Sequence, residues 1–359
     1  MSSFGTSAAA VRFTQSNVRK SINVAPFVRH GGRLHPQEAG PLLPVLRRAG
    51  KADHRSRRNR PIKFDRPAPA YTDAWFCKDA NGHIQATGKD ARGRKQYRYH
   101  ADYRSKRDAS KYDNCREFGE ALPRLRKTVE RDLRKRKLER DTVLAAVIRL
   151  LDKEHIRVGN EQYARSNKSF GATTLRSRHL KKVGGKLKMR FTGKHGIVHE
   201  VTVTDANLKR IVRKCEDLPG QNLFQYLNGD GEPKAITSSD VNDYIREATG
   251  SDFTAKHFRT WGASVIFFEQ LLEKAESKRI SLKTVLEPVA EALGNTVAMS
   301  RKSYVHPCLI EALQEDPEDP LNGMKRPRAR RRLTSAETGF LKFLKKKPRR
   351  SRRRARKAA

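Results

Sequence analysis

The chain has 359 residues, 78 Lys and Arg against 39 Asp and Glu, and a formal net charge of +39. Length allows two or three domains, and 36% hydrophobic residues suffice for a core. Self-repulsion on this scale opposes compactness unless a polyanion offsets it, which points to nucleic acid or an anionic membrane surface as partner. Cys77, Cys115, Cys215 and Cys308 are scattered without a CxxC or Cys/His cluster, so they read as reduced thiols in a cytoplasmic compartment and no metal site is expected. No apolar run is long enough to span a membrane.

Residues 1–69 lack periodicity and include the basic run "KADHRSRRNRP", so a disordered basic arm is expected. The first acidic residue is Glu38; the Ser-, Ala- and Arg-rich stretch before it resembles a transit peptide in composition, and an over-extended start fits equally well. From Tyr71 onward, "AWFCKDANGHIQATGKDARGRKQYRYH" alternates short apolar runs with "ANG" and "ARG" turns. That punctuation predicts a small β-rich domain over 70–112. A highly charged helical stretch over 105–140 follows.

Helical periodicity dominates from Asp141, an expected N-cap, with Leu144, Val147, Ile148 and Leu151 on one stripe. Residues 186–203 switch to period two. Leu187, Met189 and Phe191 share one strand face, Gly193 and Gly196 bracket a tight turn, and Val201 and Val203 share a face on the return strand. "NGDGEP" (228–233) superficially resembles a calcium loop, but Pro233 stands where such a loop needs glycine, so it reads as a plain turn. The next helix has Phe258, Trp261, Val265, Phe268 and Leu272 as its expected buried stripe. "KTVLEPVAEALG" ends at the capping Gly294. A short helix should carry Tyr304, and Pro307 opens another. After Gly323 about half of the residues are Lys or Arg, with one acid, Glu337. A like-charge block stays solvated, so 316–359 is expected to be a disordered basic tail, broken at most by a short amphipathic helix in "LTSAETGFLKFL".

The chain lacks a Walker A loop, a GxGxxG motif and HExxH. Phosphodiester exchange without ATP or metal needs a nucleophile, cations around the non-bridging oxygens and an acid for the leaving oxygen. Arginine suits the oxygens through its planar, permanently charged fork. Lysine suits the acid, because neighbouring cations lower its pKa. A tyrosine phenolate leaves phosphorus more readily than an alkoxide, so a phosphotyrosyl bond is reversible and conserves bond energy. "HIRVGNEQYA" supplies Arg157 after a helix, "FTGKHG" Lys194 at a hairpin tip and "KHFRTWGAS" Arg259 on a helix whose opposite face is buried. "LGNTVAMSRKSYVHP" supplies Asn295 and Tyr304. Singly each is weak: a solvated arginine, a soluble turn, a helix cap, a packed ring.

In this order the set resembles the type IB DNA topoisomerases, in particular their compact bacterial and poxvirus branch, over about residues 70–315. The resemblance implies an α+β fold. A small β-rich N-terminal domain would precede a mainly helical catalytic domain (113–315) with a small sheet, the two clamping duplex DNA as a monomer. It implies Tyr304 as nucleophile holding the 3′ end and Lys194 as general acid for the 5′ oxygen. Arg157 and Arg259 would lie on the scissile phosphate with Asn295 assisting. Many relatives carry histidine where this chain has Asn295; an amide donates a hydrogen bond but holds no charge, which implies an orienting role. "TGKDARGRKQYRYH" (87–100) is similar to the family's DNA-clamping segment, which makes Gln96, Tyr97 and Tyr99 DNA contacts, joined by Tyr163 and Lys256. Neither cofactor nor metal is implied, and a nucleoid-associated location follows.

Two alternatives stay open at this point. Tyrosine recombinases share the Arg, Lys, Arg, Tyr set, but usually place histidine where this chain has Lys256. A non-catalytic DNA-compacting protein would explain the basic tails alone.

Overall fold

The structure is a computed structural model that describes residues 71–91, 93–274 and 279–346, the side chains at 106 and 108–110 excepted. The expected arm and transit-like segment (1–69) and the last basic run of the tail lie outside the described residues. The architecture is mixed, mostly helical with small sheets. The chain divides into two units, Met1–Asp108 and Ala109–Ala359.

In the first unit, β1 (Thr72–Phe76), β2 (Ile84–Lys89) and β3 (Lys95–Tyr99) form an antiparallel sheet in the order β1-β2-β3. The "ARG" turn closes with Gly93 at φ 69, a conformation glycine adopts without Cβ strain. Helix α1 (Ala101–Asp113) begins in this unit and crosses the division.

The second unit is built on α2 (Cys115–Leu133) and α3 (Arg140–Glu154). The expected cap at Asp141 is displaced: Glu139 is the N-cap and Asp141 lies in the first turn, where a carboxylate favours the positive helix end. The stripe Leu144, Val147, Ile148 and Leu151 is buried, but so are Val143, Ala145, Ala146 and Leu150, because α3 is enclosed by neighbours on several sides. After α4 (Glu161–Asn167) comes an antiparallel sheet of β4 (Leu180–Val183), β5 (Lys186–Thr192) and β6 (Val198–Val203). Leu187, Met189, Phe191, Val201 and Val203 turn inward as period two dictates. Helix α5 (Ala206–Glu216) leads to β7 (Gln225–Leu227) and β8 (Pro233–Ala235), with "NGDGEP" as the turn joining them. The turn is closed by Asn228, whose side-chain oxygen accepts from the Asp230 and Glu232 amides.

Helices α6 (Ser238–Thr249), α7 (Ala255–Glu273), α8 (Leu282–Leu293), α9 (Val297–Ser303), α10 (Pro307–Glu315) and α11 (Ser335–Lys346) complete the unit. Gly294 caps α8 at φ 57, and Pro307 opens α10 with His306 as N-cap. Two expectations need correction. On α7, Phe258, Trp261 and Phe268 are buried, but Val265 and Leu272 are half-buried, and Phe267 and Leu271 fill the core instead. The helix meets α2, α3, α8 and α11, so its buried arc is wider than one stripe. Second, residues 316–346 are not a solvated tail. Phe340 and Phe343 of α11 join the core, and Phe340 packs against Trp261 and Phe268. Apolar burial along one face outweighs the basic residues, which occupy the exposed side.

None of the four cysteines is in a disulfide, and Cys115 and Cys215 are buried. Among the described residues no helix is long and apolar enough to cross a membrane.

Candidate active site around Tyr304

Tyr304 caps α9, with φ −130 and ψ −42, and its amide bonds back to the Ser300 carbonyl. The next residue, Val305, is fully buried and pins the turn. Ser264 on α7, itself fully buried, accepts from the His306 amide at 2.9 Å and lies 3.4 Å from the Tyr304 carbonyl. The backbone of the tyrosine is thereby held against α7, while its half-buried ring faces two guanidinium groups.

Arg259 is the first of these. It is 4% exposed, so the expectation of an arginine opposite the buried face is overturned. Burying a guanidinium is costly without acceptors. Here two helix C-termini supply them: the carbonyl of His155, the left-handed cap of α3, and that of Leu293, the last residue of α8, at 2.9 Å. Carbonyls at helix ends lack intrahelical donors and carry the negative end of the helix dipole, so they suit a cation. The Arg259 guanidinium lies 5.0 Å from the Tyr304 ring centroid, and its Nε has no partner. Burial, and then repulsion from Arg157, bring its pKa down to about 10.

Arg157 follows α3 through the buried Ile156. Its backbone is drawn in by Gly171: a Cβ there would stand 2.5 Å from the Arg157 carbonyl, so only glycine permits the approach. Arg157 Nη2 donates to Asn295 Oδ1 at 3.1 Å and lies 3.5 Å from Tyr304 Oη. Asn295 is placed by the Gly294 cap, its amide bonding to the Ala290 carbonyl. With its oxygen engaged by Arg157, its buried Nδ2 has no acceptor. Burial raises the Tyr304 pKa, but Arg259, Arg157 and Lys194 together outweigh it, and the phenol is held below its usual range.

Lys194 sits exposed at the β5–β6 tip, in a turn closed by the Gly193 amide on the Ile197 carbonyl at 2.7 Å. The four segments that carry Arg157, Arg259, Asn295 and Tyr304 thus converge, and the Lys194 charge reaches the same phenol. Lys256 is exposed one turn before Arg259, and Tyr163 on α4 is 58% exposed. In the first unit, Tyr97 and Tyr99 lie on one face of β3 and stack at 6.3 Å, 51% and 43% exposed. Gln96 alternates to the other face, where it donates to Asp90 at 3.0 Å.

Sequence reasoning missed one residue beside the phenol and one beside its arginines. Lys111 at the end of α1 places its ammonium 5.0 Å from the Tyr304 ring centroid; in so basic a chain nothing distinguishes it. His199 stacks on Phe191 at 5.2 Å, and burial, then Arg259 and Arg157, lower its pKa. A signal existed: His199 shares the parity of Val201 and Val203, so period two aims it inward.

A tyrosine with a depressed pKa, set against two guanidinium groups and beside two donors without acceptors, Asn295 Nδ2 and Arg259 Nε, makes a site suited to an anion. The profile of "Eukaryotic DNA topoisomerase I, catalytic core" matches residues 100–321, and that of "Bacterial DNA topoisomerase IB, N-terminal domain" matches residues 67–90. DNA topoisomerase 1B of Acanthamoeba polyphaga mimivirus is 34% identical over 262 residues, 70% of this chain and 78% of that protein. DNA topoisomerase 1B of vaccinia virus (strain Copenhagen) is 21% identical over 255 residues, 68% of this chain and 76% of that protein. The chain belongs to the type IB, eukaryotic-type DNA topoisomerase I family. A solved XerH site-specific recombinase overlaps 53% of this chain and 50% of that chain at a TM-score of 0.34 and 17% identity, a likeness too slight to bear on the assignment.

Proposed function

We propose that this chain is a type IB DNA topoisomerase that relaxes supercoiled duplex DNA by transient cleavage of one strand. Tyr304 Oη gives up its proton to solvent and attacks the scissile phosphorus, the P–O5′ bond breaks, and the phosphate remains on the tyrosine through the 3′ end. Arg157 and Arg259 hold the non-bridging oxygens, and the free Asn295 Nδ2 donates to one of them. Lys194 gives its proton to O5′. The free 5′-hydroxyl end rotates, then attacks the phosphotyrosyl phosphorus, returning its proton to Lys194 as the Tyr304 phenolate leaves. One phosphodiester is exchanged for another, so no nucleotide is consumed.

The observation that carries this reading is the meeting of Arg157 and Arg259, from separate segments, on the Tyr304 oxygen and ring, with Asn295 held to Arg157 beside them. Tyr97, Tyr99 and Gln96 of the first unit, with Tyr163 and Lys256 of the second, are proposed DNA contacts, both units of a monomer engaging the same duplex. Domain limits near 70–112 and 113–315 and nucleoid association belong to the same proposal. The profile match to a type IB N-terminal domain favours this reading over a recombinase, for which strand exchange at a defined repeat is the expected activity.

The test is incubation with supercoiled plasmid in EDTA, followed by denaturation. Relaxed product, with protein attached to the 3′ end of nicked strands, is expected. A Tyr304→Phe protein that still relaxes plasmid would sink the reading.

A further inference from the structure

His199 has no part in the proposed chemistry, yet its ring lies within electrostatic reach of Arg259 and Arg157. His199 on β6 faces its cross-strand partner Phe191 and stacks on it, with rings 16° from parallel. It also touches two glycines that precede proposed catalytic residues. A Cβ on Gly193, the residue before Lys194, would stand 2.7 Å from His199 Cδ2 and Nε2. A Cβ on Gly294, the residue before Asn295, would stand 2.5 Å from His199 Cε1. Both separations are shorter than side chains tolerate, so each glycine leaves the room that the imidazole fills. The ring is therefore wedged between the base of the β5–β6 turn and the α8–α9 turn.

Lys194 needs such support. It lies exposed at a hairpin tip, and His195 and Gly196 after it both adopt positive φ. A long, flexible ammonium acts as a general acid only when its base is placed so that Nζ reaches the leaving oxygen. Resting on the reading of Lys194 as the acid, we infer that His199 is a positioning residue: its ring sets the hairpin that carries Lys194 against the turn that carries Asn295. No bond to the substrate is assigned to it.

The test separates placement of the acid from general damage. Single-turnover cleavage is measured on a duplex with an ordinary phosphodiester and on one whose 5′ bridging oxygen is replaced by sulfur, which leaves without a proton. His199→Ala should slow cleavage about ten- to a hundredfold on the oxygen substrate, as a misplaced catalytic group does, and recover close to the wild-type rate on sulfur. Lys194→Ala should show the same pattern. A loss that is equal on both substrates, or no loss at all, overturns the inference. Should sulfur fail to rescue Lys194→Ala, the acid assignment itself falls and takes the inference with it. Rescue of Lys194→Ala without rescue of His199→Ala removes the inference alone.

A second variant guards against misfolding. Gly193 has φ −91 and ψ −163, extended backbone that alanine adopts freely, so the only clash of Gly193→Ala is with the imidazole, the Ile197 carbonyl standing at an ordinary 3.5 Å. It should slow cleavage of the oxygen substrate in the wild-type background and add little in the His199→Ala background. Additive losses would show that the two do not share a contact and would overturn the inference. Where His199→Ala does not fold, His199→Asn, which lacks the ring, carries the same comparison.

Discussion

Two charged clusters are built on helix α7 and its neighbours, and they are opposites. At one, Arg126 of α2 donates to Asp152 through Nε and Nη2, to Glu337 through Nη1 and Nη2, and to the Arg332 carbonyl through Nη1. Trp261 of α7 completes it by donating to Glu337 at 3.1 Å. Every donor of the guanidinium is matched and its charge is met by two carboxylates. At the other, two residues earlier on α7, Arg259 meets carbonyls and a phenol, its Nε is unmatched, and a second arginine stands nearby. The first cluster spends its charge on holding α11 to α2 and α3. In the second, carbonyls and a phenol meet the guanidinium in place of carboxylates. Whether an arginine in this protein is balanced or keeps its charge depends on its partners, not its type.

The contrast can be broken or sharpened experimentally. The largest effect is expected at the phenol: Tyr304→Phe should abolish the covalent adduct entirely, while filter binding of duplex DNA stays near wild type. Arg126→Ala should lose about 3–5 kcal/mol of stability in urea unfolding, because two buried carboxylates are left uncompensated. If that variant unfolds like the wild type, the balanced cluster is not structural. Arg259→Ala should instead cost about 10²–10³ in cleavage rate. A change of a few-fold would remove it from the phosphate.

Acid should separate the clusters further. Burial works to raise the Glu337 pKa, but Arg126 prevails and holds it below the usual carboxylate range. A carboxyl with a depressed folded pKa contributes stability above its unfolded pKa, about 4.3, and loses it as pH falls through the folded value. Stability of the wild type should therefore decline below about pH 4.3, and a Glu337→Gln protein should show a shallower decline in the same window. Equal slopes in acid unfolding curves would argue against Glu337. The smallest effect is expected at Lys256→Ala. If it meets one phosphate, the slope of log binding against log salt should fall by about one.

Much of this molecule could be read before folding was considered. The hairpin around Lys194 follows from Leu187, Met189 and Phe191 alternating before Gly193, since only a strand places every second side chain on one face. The turn at Tyr304 follows from Gly294, which ends one helix, and Pro307, which favours the first position of another. These signals are local. Arg259 was misjudged because its acceptors are carbonyls, which every residue possesses and no sequence pattern marks. The segment at 335–346 was misjudged because its basic neighbours mask a short apolar face, and because the partner of Glu337 lies 211 residues away at Arg126.

Sequence alone determined which residue types were available, where the chain turned and the order in which Arg157, Lys194, Arg259, Asn295 and Tyr304 occur, because propensity, capping and period act over a few residues. Tertiary structure alone decided which arginine is neutralised and which keeps its charge. That difference is set by two helix ends and a distant carboxylate, and electrostatic partners are chosen by distance in space rather than by distance along the chain.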